Sequence, residues 1–127
     1  MNQEQENNID LVKTKVNFEE NTINVEENTS AGYRKLKVVE DSAELRQIED
    51  ILSSVEWERA EVEMSVPPHI RFITDAGFFS IWVTANKNRI EIRVEGESMY
   101  KKLKEEESTL LFKLVTDKEL RQYESRY

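Results

Sequence analysis

The only histidine of the chain, His69, lies in the stretch VPPHIRF, directly after Pro67 and Pro68 and two residues before Arg71. An imidazole beside a guanidinium is equipment for acid–base work on an anionic substrate. Such work also needs a nucleophile or an orienting carboxylate nearby, and no G-x-S-x-G elbow supplies a serine. His69 therefore reads as a residue at a strand start or at the surface. The chain has no cysteine, which removes thiolate nucleophiles, disulfides and cysteine metal sites together. Any metal site would be built from oxygen. The acidic runs at Glu19 and Glu20, at Glu26 and Glu27, and at Glu105, Glu106 and Glu107 lack the alternating ligands and turn glycine of a calcium loop. They read as solvated faces. With three glycines in the chain, neither G-x-x-x-x-G-K-[ST] nor G-x-G-x-x-G is present to cradle a phosphate. Paired carboxylates for glycoside hydrolysis carry no signal in so acidic a sequence.

Aromatic residues offer a different chemistry. Phe78, Phe79 and Trp82 fall within FFSIWV, and Trp57 closes the amphipathic run of the first expected helix. Aromatics on a sheet face can stack bases or sugars, and more commonly they fill the core between sheet and helix. Here both faces of the strand are apolar: Phe78 and Trp82 on one, Phe79, Ile81 and Val83 on the other. A strand apolar on both sides is central or covered. Any part that two helices leave uncovered is a surface for a partner. The candidate partner-binding residues are accordingly Phe78, Phe79, Trp82, His69 and Arg71.

Charge narrows the partners. The 127 residues carry a net charge of −8, with 35% charged residues and an isoelectric point near 4.8. Such a chain repels phosphate backbones and anionic membrane surfaces. Nucleic acid is not expected as a partner. A local basic strip, Arg34, Lys35 and Lys37, could bind anions, but neighbouring glutamates are expected to neutralise it. No apolar run approaches the roughly 18 residues that span a bilayer. No cofactor is implied.

The elements that position these residues follow from period and punctuation. Residues 1–10, MNQEQENNID, read as a disordered polar leader, and 11–127 as one domain, best defined over 33–115. Leu11 to Gly32 hold ambiguous strand signals, with Val12, Val16 and Phe18 on one face. YRKLKVV alternates, which places Leu36 and Val38 inward and Lys35 and Lys37 outward. Asp41 with Glu44 has capping-box spacing, and Leu45, Ile48, Leu52 and Val55 repeat at helical intervals. EVEMSV alternates like a strand, with Val62, Met64 and Val66 on one side. After the two prolines, Ile70, Phe72 and Thr74 share a face. Asp75-Ala76-Gly77 and ANKN are turn signals. RIEIRVEG alternates cleanly, SMYKKL adds a short edge strand with Tyr100, and Glu105 to Val115 forms a second helix. TDKELRQYESRY is a helical extension or a frayed tail. Strands grouped together and joined by short turns pair antiparallel. The expected class is α+β, with an antiparallel sheet of about four to six strands and two helices on one face.

The run PPHIRF, then FFSIWV, then NKNRIEIRVEGESMYKKL and a leucine-rich last helix resembles the YhfM-like domain of Bacillus and its relatives, over roughly residues 33–115. The resemblance implies a small α+β fold, often carried on lipoproteins, with no established activity. Where that family often shows an acidic and aromatic pair after its proline, this chain has His69 and Ile70, and it has no cysteine to carry a lipid.

The sequence thus predicts a small non-enzymatic binding domain with a protein partner. The alternatives are a regulatory or inhibitory protein that docks a basic partner, or a small-ligand binder using the aromatic strand. A cytoplasmic location is expected from the polar N-terminus, and an extracellular lipid-anchored one if that terminus is the product of trimming. VPPHIRF itself is expected to be a corner between two strands, because two prolines lack the amide hydrogens of a central ladder.

Overall fold

The computed structural model describes residues 11–16, 18, 22–74 and 77–125. The polar leader 1–10, Glu19, Glu20, and Asp75 and Ala76 of the expected turn lie outside them. The chain begins with β1 (Leu11–Val12), β2 (Ile23–Thr29) and β3 (Gly32–Val39) before the first helix, α1 (Ser42–Ser54). Then come β4 (Trp57–Arg59), β5 (Ile70–Thr74), β6 (Gly77–Val83), β7 (Ile90–Val94) and β8 (Met99–Lys102). Helix α2 (Glu105–Thr116) and a 3-10 turn at Leu120–Gln122 complete the chain.

The strands form one sheet in the order β1-β4-β8-β7-β6-β5-β2-β3. All neighbouring pairs are antiparallel. The architecture is α+β, as the patterning predicts, but the sheet has eight strands rather than four to six. The count rises because short pieces that carry little periodicity, β1 and β4, find partners far away in sequence: Leu11 opposite Glu58, and Glu58 opposite Tyr100.

Both helices pack on the sheet. Leu45, Ile48 and Leu52 of α1 and Leu111, Phe112 and Val115 of α2 join one core with Ile23, Val25, Ile70, Phe72, Phe79, Ile81, Ile90 and Ile92. Helix α1 starts where the Asp41 carboxylate accepts the amides of Ala43 and Glu44 at 2.9 and 3.0 Å, a cap that satisfies two orphan donors. Three acidic residues in the first turn of α2 complement its dipole. The side chains of α1 also hold the segment before β2. Ser53 Oγ accepts the Val16 amide at 2.8 Å, and Glu49 accepts the Phe18 amide at 2.6 Å. Val16 and Phe18 are thereby buried without belonging to a strand.

Four expectations need correction. EVEMSV is not a strand. The strands that flank it, β4 and β5, are each paired on both sides, and β8, β7 and β6 lie between them, so the segment must cross all three. Trp57 opens β4 rather than closing α1. The SMYKKL strand is interior, between β4 and β7, not at an edge. In β3 the alternation breaks. Val25 faces Lys37 while Glu26 faces Lys35, so Leu36 is an extra residue, a β-bulge. The bulge turns Lys37 toward α2, where its ammonium donates to the Leu114 carbonyl at 3.1 Å and meets Asp117 at 2.7 Å. A cation at a helix C-terminus complements the dipole there. Val39, not Val38, is the buried end of the strand.

The frayed-tail alternative for the last segment does not hold for Leu120 and Tyr123, which are both buried against the core. Among the described residues no helix is long and apolar enough to cross a membrane.

Candidate functional site

The face of the sheet away from the helices is read directly from the register. A row runs across the strands from Lys35 through Glu26, Arg71, Ser80 and Arg93 to Tyr100, each residue opposite the next. Arg71 Nε donates to Glu26 at 2.6 Å. Ser80 Oγ donates to Glu95 at 2.6 Å, and Arg93 forks onto the same carboxylate at 3.2 and 3.1 Å. Tyr100 donates its phenol proton to Glu91. Burial, then that hydrogen bond, holds the Tyr100 pKa well above its ordinary value. This face carries an interlocked polar row in which opposite charges meet across strands.

One end of that face is roofed. The segment from Ala60 to Pro68 crosses it as a strap, and side chains from three strands hold its carbonyls. Arg93 donates to the Val62 carbonyl at 2.9 Å, Trp82 Nε1 to Val66 at 2.8 Å, and the Tyr33 hydroxyl to Pro68 at 2.9 Å. Val62 and Met64 are half-buried while Glu61, Glu63 and Ser65 are exposed. The alternation that suggests a strand instead turns Val62 and Met64 toward the sheet, while Val66 at the strap's end is 46% exposed. Val66 to Pro68 are therefore the end of a strap and Ile70 to Phe72 open β5, so VPPHIRF is not a corner between two strands. Its prolines cost no ladder bonds because they lie in the strap, before β5 begins.

The five candidate residues separate accordingly. Trp82 lies under the strap, 3% exposed, with Arg93 over its ring at 5.3 Å. Phe79 faces the helices, stacked on Phe72 with centroids 4.8 Å apart. His69 is half-buried. Its Nδ1 accepts the Val83 amide at 3.1 Å, and its ring meets Tyr123 edge-on at 6.0 Å. Desolvation lowers its pKa. None of these three is placed to meet a partner on the open part of the sheet.

Arg71 and Phe78 are brought together there. The Arg71 guanidinium sits 3.7 Å from the centre of the Tyr33 ring and 5.6 Å from that of Phe78. Ile73 stands opposite Phe78 on the same face and is 42% exposed. Sequence reasoning missed Tyr33 and Ile73. Ile73 was within reach: if Ile70 and Phe72 point inward, Ile73 must point outward with Arg71. Tyr33 shares the outward parity of Lys35, but its place beside Arg71 depends on β2 lying between β3 and β5, which no local pattern shows.

The basic strip also divides. Lys37 is engaged by α2, whereas Arg34 and Lys35 are exposed and, among the described residues, have no ion-pair partner. Their cross-strand neighbours are committed elsewhere: Glu26 to Arg71, and Glu27 to Tyr123 and Lys118. On the helix-bearing face a cavity of about 300 Å3 opens among Val16, Trp57, Phe79, Val94 and Met99, with Lys15 and Arg59 also lining it. Among the described residues no three His, Asp or Glu side chains cluster as metal ligands would. No protein-family model, no curated protein and no solved structure matches the chain.

Proposed function

We propose that this chain is a small non-enzymatic interaction domain that binds another protein through the open part of its outer sheet face. The observation that carries the reading is the cluster of Tyr33, Arg71, Ile73 and Phe78. An arginine already fixed by a carboxylate and clamped between two rings loses little rotamer freedom on binding. Tyrosine and arginine are the residue types that anchor protein interfaces. Ile73 adds apolar area that water now covers. The site's own polar groups are satisfied within the sheet, so a partner need not supply many hydrogen bonds. The resemblance to the YhfM-like domain is compatible with such a role and assigns no residue to it.

A photo-crosslinking residue installed at Ile73, compared with one at the exposed Arg46 on α1, tests the reading. The expected result is a discrete adduct in extracts of the source cell from position 73 alone. It should be suppressed by Phe78→Ala in a chain with unchanged circular dichroism. Equal labelling from both positions, or none from 73, would overturn it.

A further inference from the structure

The two ends of the sheet are unequal. One is β1, two residues long, and the other is β3, eight residues long. A strand at the end of a sheet presents a row of unpaired amides and carbonyls along its outer side. Near the start of β3 that row is flanked by the exposed cations Arg34 and Lys35, which point to opposite faces.

The charges inside the sheet continue in a pattern that stops at this edge. On the outer face Lys35 is opposite Glu26, and Glu26 is opposite Arg71. On the helix-bearing face Arg34 is opposite Glu27. The outer row alternates in sign over three strands and the helix-side pair over two, and each ends on a cation at this edge. A ninth strand with two adjacent acidic residues would place one carboxylate opposite Lys35 on one face and the other opposite Arg34 on the opposite face, extending both alternations. A second copy of this chain would do the reverse. Two β3 strands paired antiparallel about Arg34, or about Lys35, would set that cation directly opposite its own counterpart, and like charges directly opposite are destabilising. The bulge at Leu36 limits the regular edge to the residues before it, and bulges and edge cations are also how sheets resist self-pairing. Both features select against a copy and leave an acidic strand as the fitting occupant.

We infer that Gly32–Lys35 is a docking edge for an extended acidic peptide, which adds to the sheet as a ninth strand with neighbouring carboxylates on Arg34 and Lys35. This rests on the reading of the chain as a protein-binding domain, but it uses backbone and charge at the edge rather than the cluster around Ile73.

The probe is the capped hexapeptide Val-Thr-Glu-Glu-Thr-Val, whose order is the same in either strand direction, titrated into the isotope-labelled full chain. Saturable binding is expected, with amide shifts and slowed hydrogen exchange centred on Tyr33, Arg34 and Lys35. Arg34→Glu with Lys35→Glu should weaken it by roughly tenfold or more, as two attractive cross-strand pairs become repulsive. The same double variant should in turn bind Val-Thr-Lys-Lys-Thr-Val, a rescue that no loss of folding can imitate. Ile73→Asp should leave peptide binding unchanged, so that failure of the edge and failure of the face are told apart. The inference is overturned by no binding at about 1 mM, by equal binding of the lysine peptide to the unaltered chain, or by shifts centred on Ile73 and Phe78. A concentration-dependent dimer abolished by the double variant would assign the edge to a second copy and overturn it as well.

Discussion

His69 shows how a residue that invites a catalytic reading is spent on structure. Its Nδ1 lone pair accepts the amide of Val83, which requires that nitrogen to be unprotonated. Burial lowers its pKa below the ordinary 6.5. The unfolded chain therefore takes up a proton on this residue at a higher pH than the folded chain does. The contribution of His69 to stability is present above about 6.5 and is lost as pH falls through the depressed folded value. Urea unfolding at successive pH values should show the midpoint dropping on acidification. In His69→Gln the drop should be shallower, leaving only what the carboxylates contribute. Identical slopes in the two proteins would show that His69 does not titrate between the folded and unfolded states. The same rule of prior engagement separates Lys37 from Arg34 and Lys35: all three are basic, but only Lys37 has an α-helix C-terminus to serve.

At the scale of elements, the strap is the least regular piece and carries much of the outer face. It has no ladder bonds of its own, and three side chains on β3, β6 and β7 take its carbonyls. Removing one donor should loosen the strap before it loosens the sheet. Trp82→Phe keeps an aromatic ring but loses the hydrogen bond to Val66, so about 1 kcal/mol of stability should go. A protease cutting after glutamate should also cleave at Glu61 or Glu63 faster than in the unaltered chain. Unchanged cleavage would mean that the indole does not hold the strap. Sequence pattern exposes the long elements: α1, α2 and β7 each bury one face with a steady period, and β6 is an unbroken apolar run buried on both faces. It misplaces the strap for a physical reason. An alternation of apolar and charged residues satisfies a strand on a sheet edge and an extended segment lying flat on a sheet equally well. Only strand order distinguishes them, and strand order depends on β1 and β4, which are too short to announce themselves. Of the interaction cluster, Arg71 and Phe78 are legible. Tyr33 points outward as its alternation with Lys35 predicts, but its meeting with Arg71 depends on strand order, which no local pattern marks.

At the scale of the whole molecule, the path of the chain around its sheet matters more than any single strand. From β3 at one end, α1 carries the chain over one face to β4 near the other end, and the strap returns it over the opposite face to β5. Everything before the strap supplies the two flanks of the sheet, β1 with β4 on one side and β2 with β3 on the other. Everything after it supplies the four central strands as an unbroken meander, β5 to β8. A break in the strap, between Glu63 and Met64, would sever no strand pair and no helix. The domain is thus divisible into two polypeptides, 1–63 and 64–127, which grip each other as a bracket grips its insert. The second already begins with methionine, so both can be translated as separate genes. Co-expressed halves should co-elute and regain the circular dichroism of the intact chain, while each alone exposes apolar strands and aggregates. Halves that elute apart would show that the strap's covalent continuity, rather than the two flanking interfaces, keeps the sheet assembled. Fused to two test proteins, these halves would make a complementation reporter whose signal is the reassembled sheet.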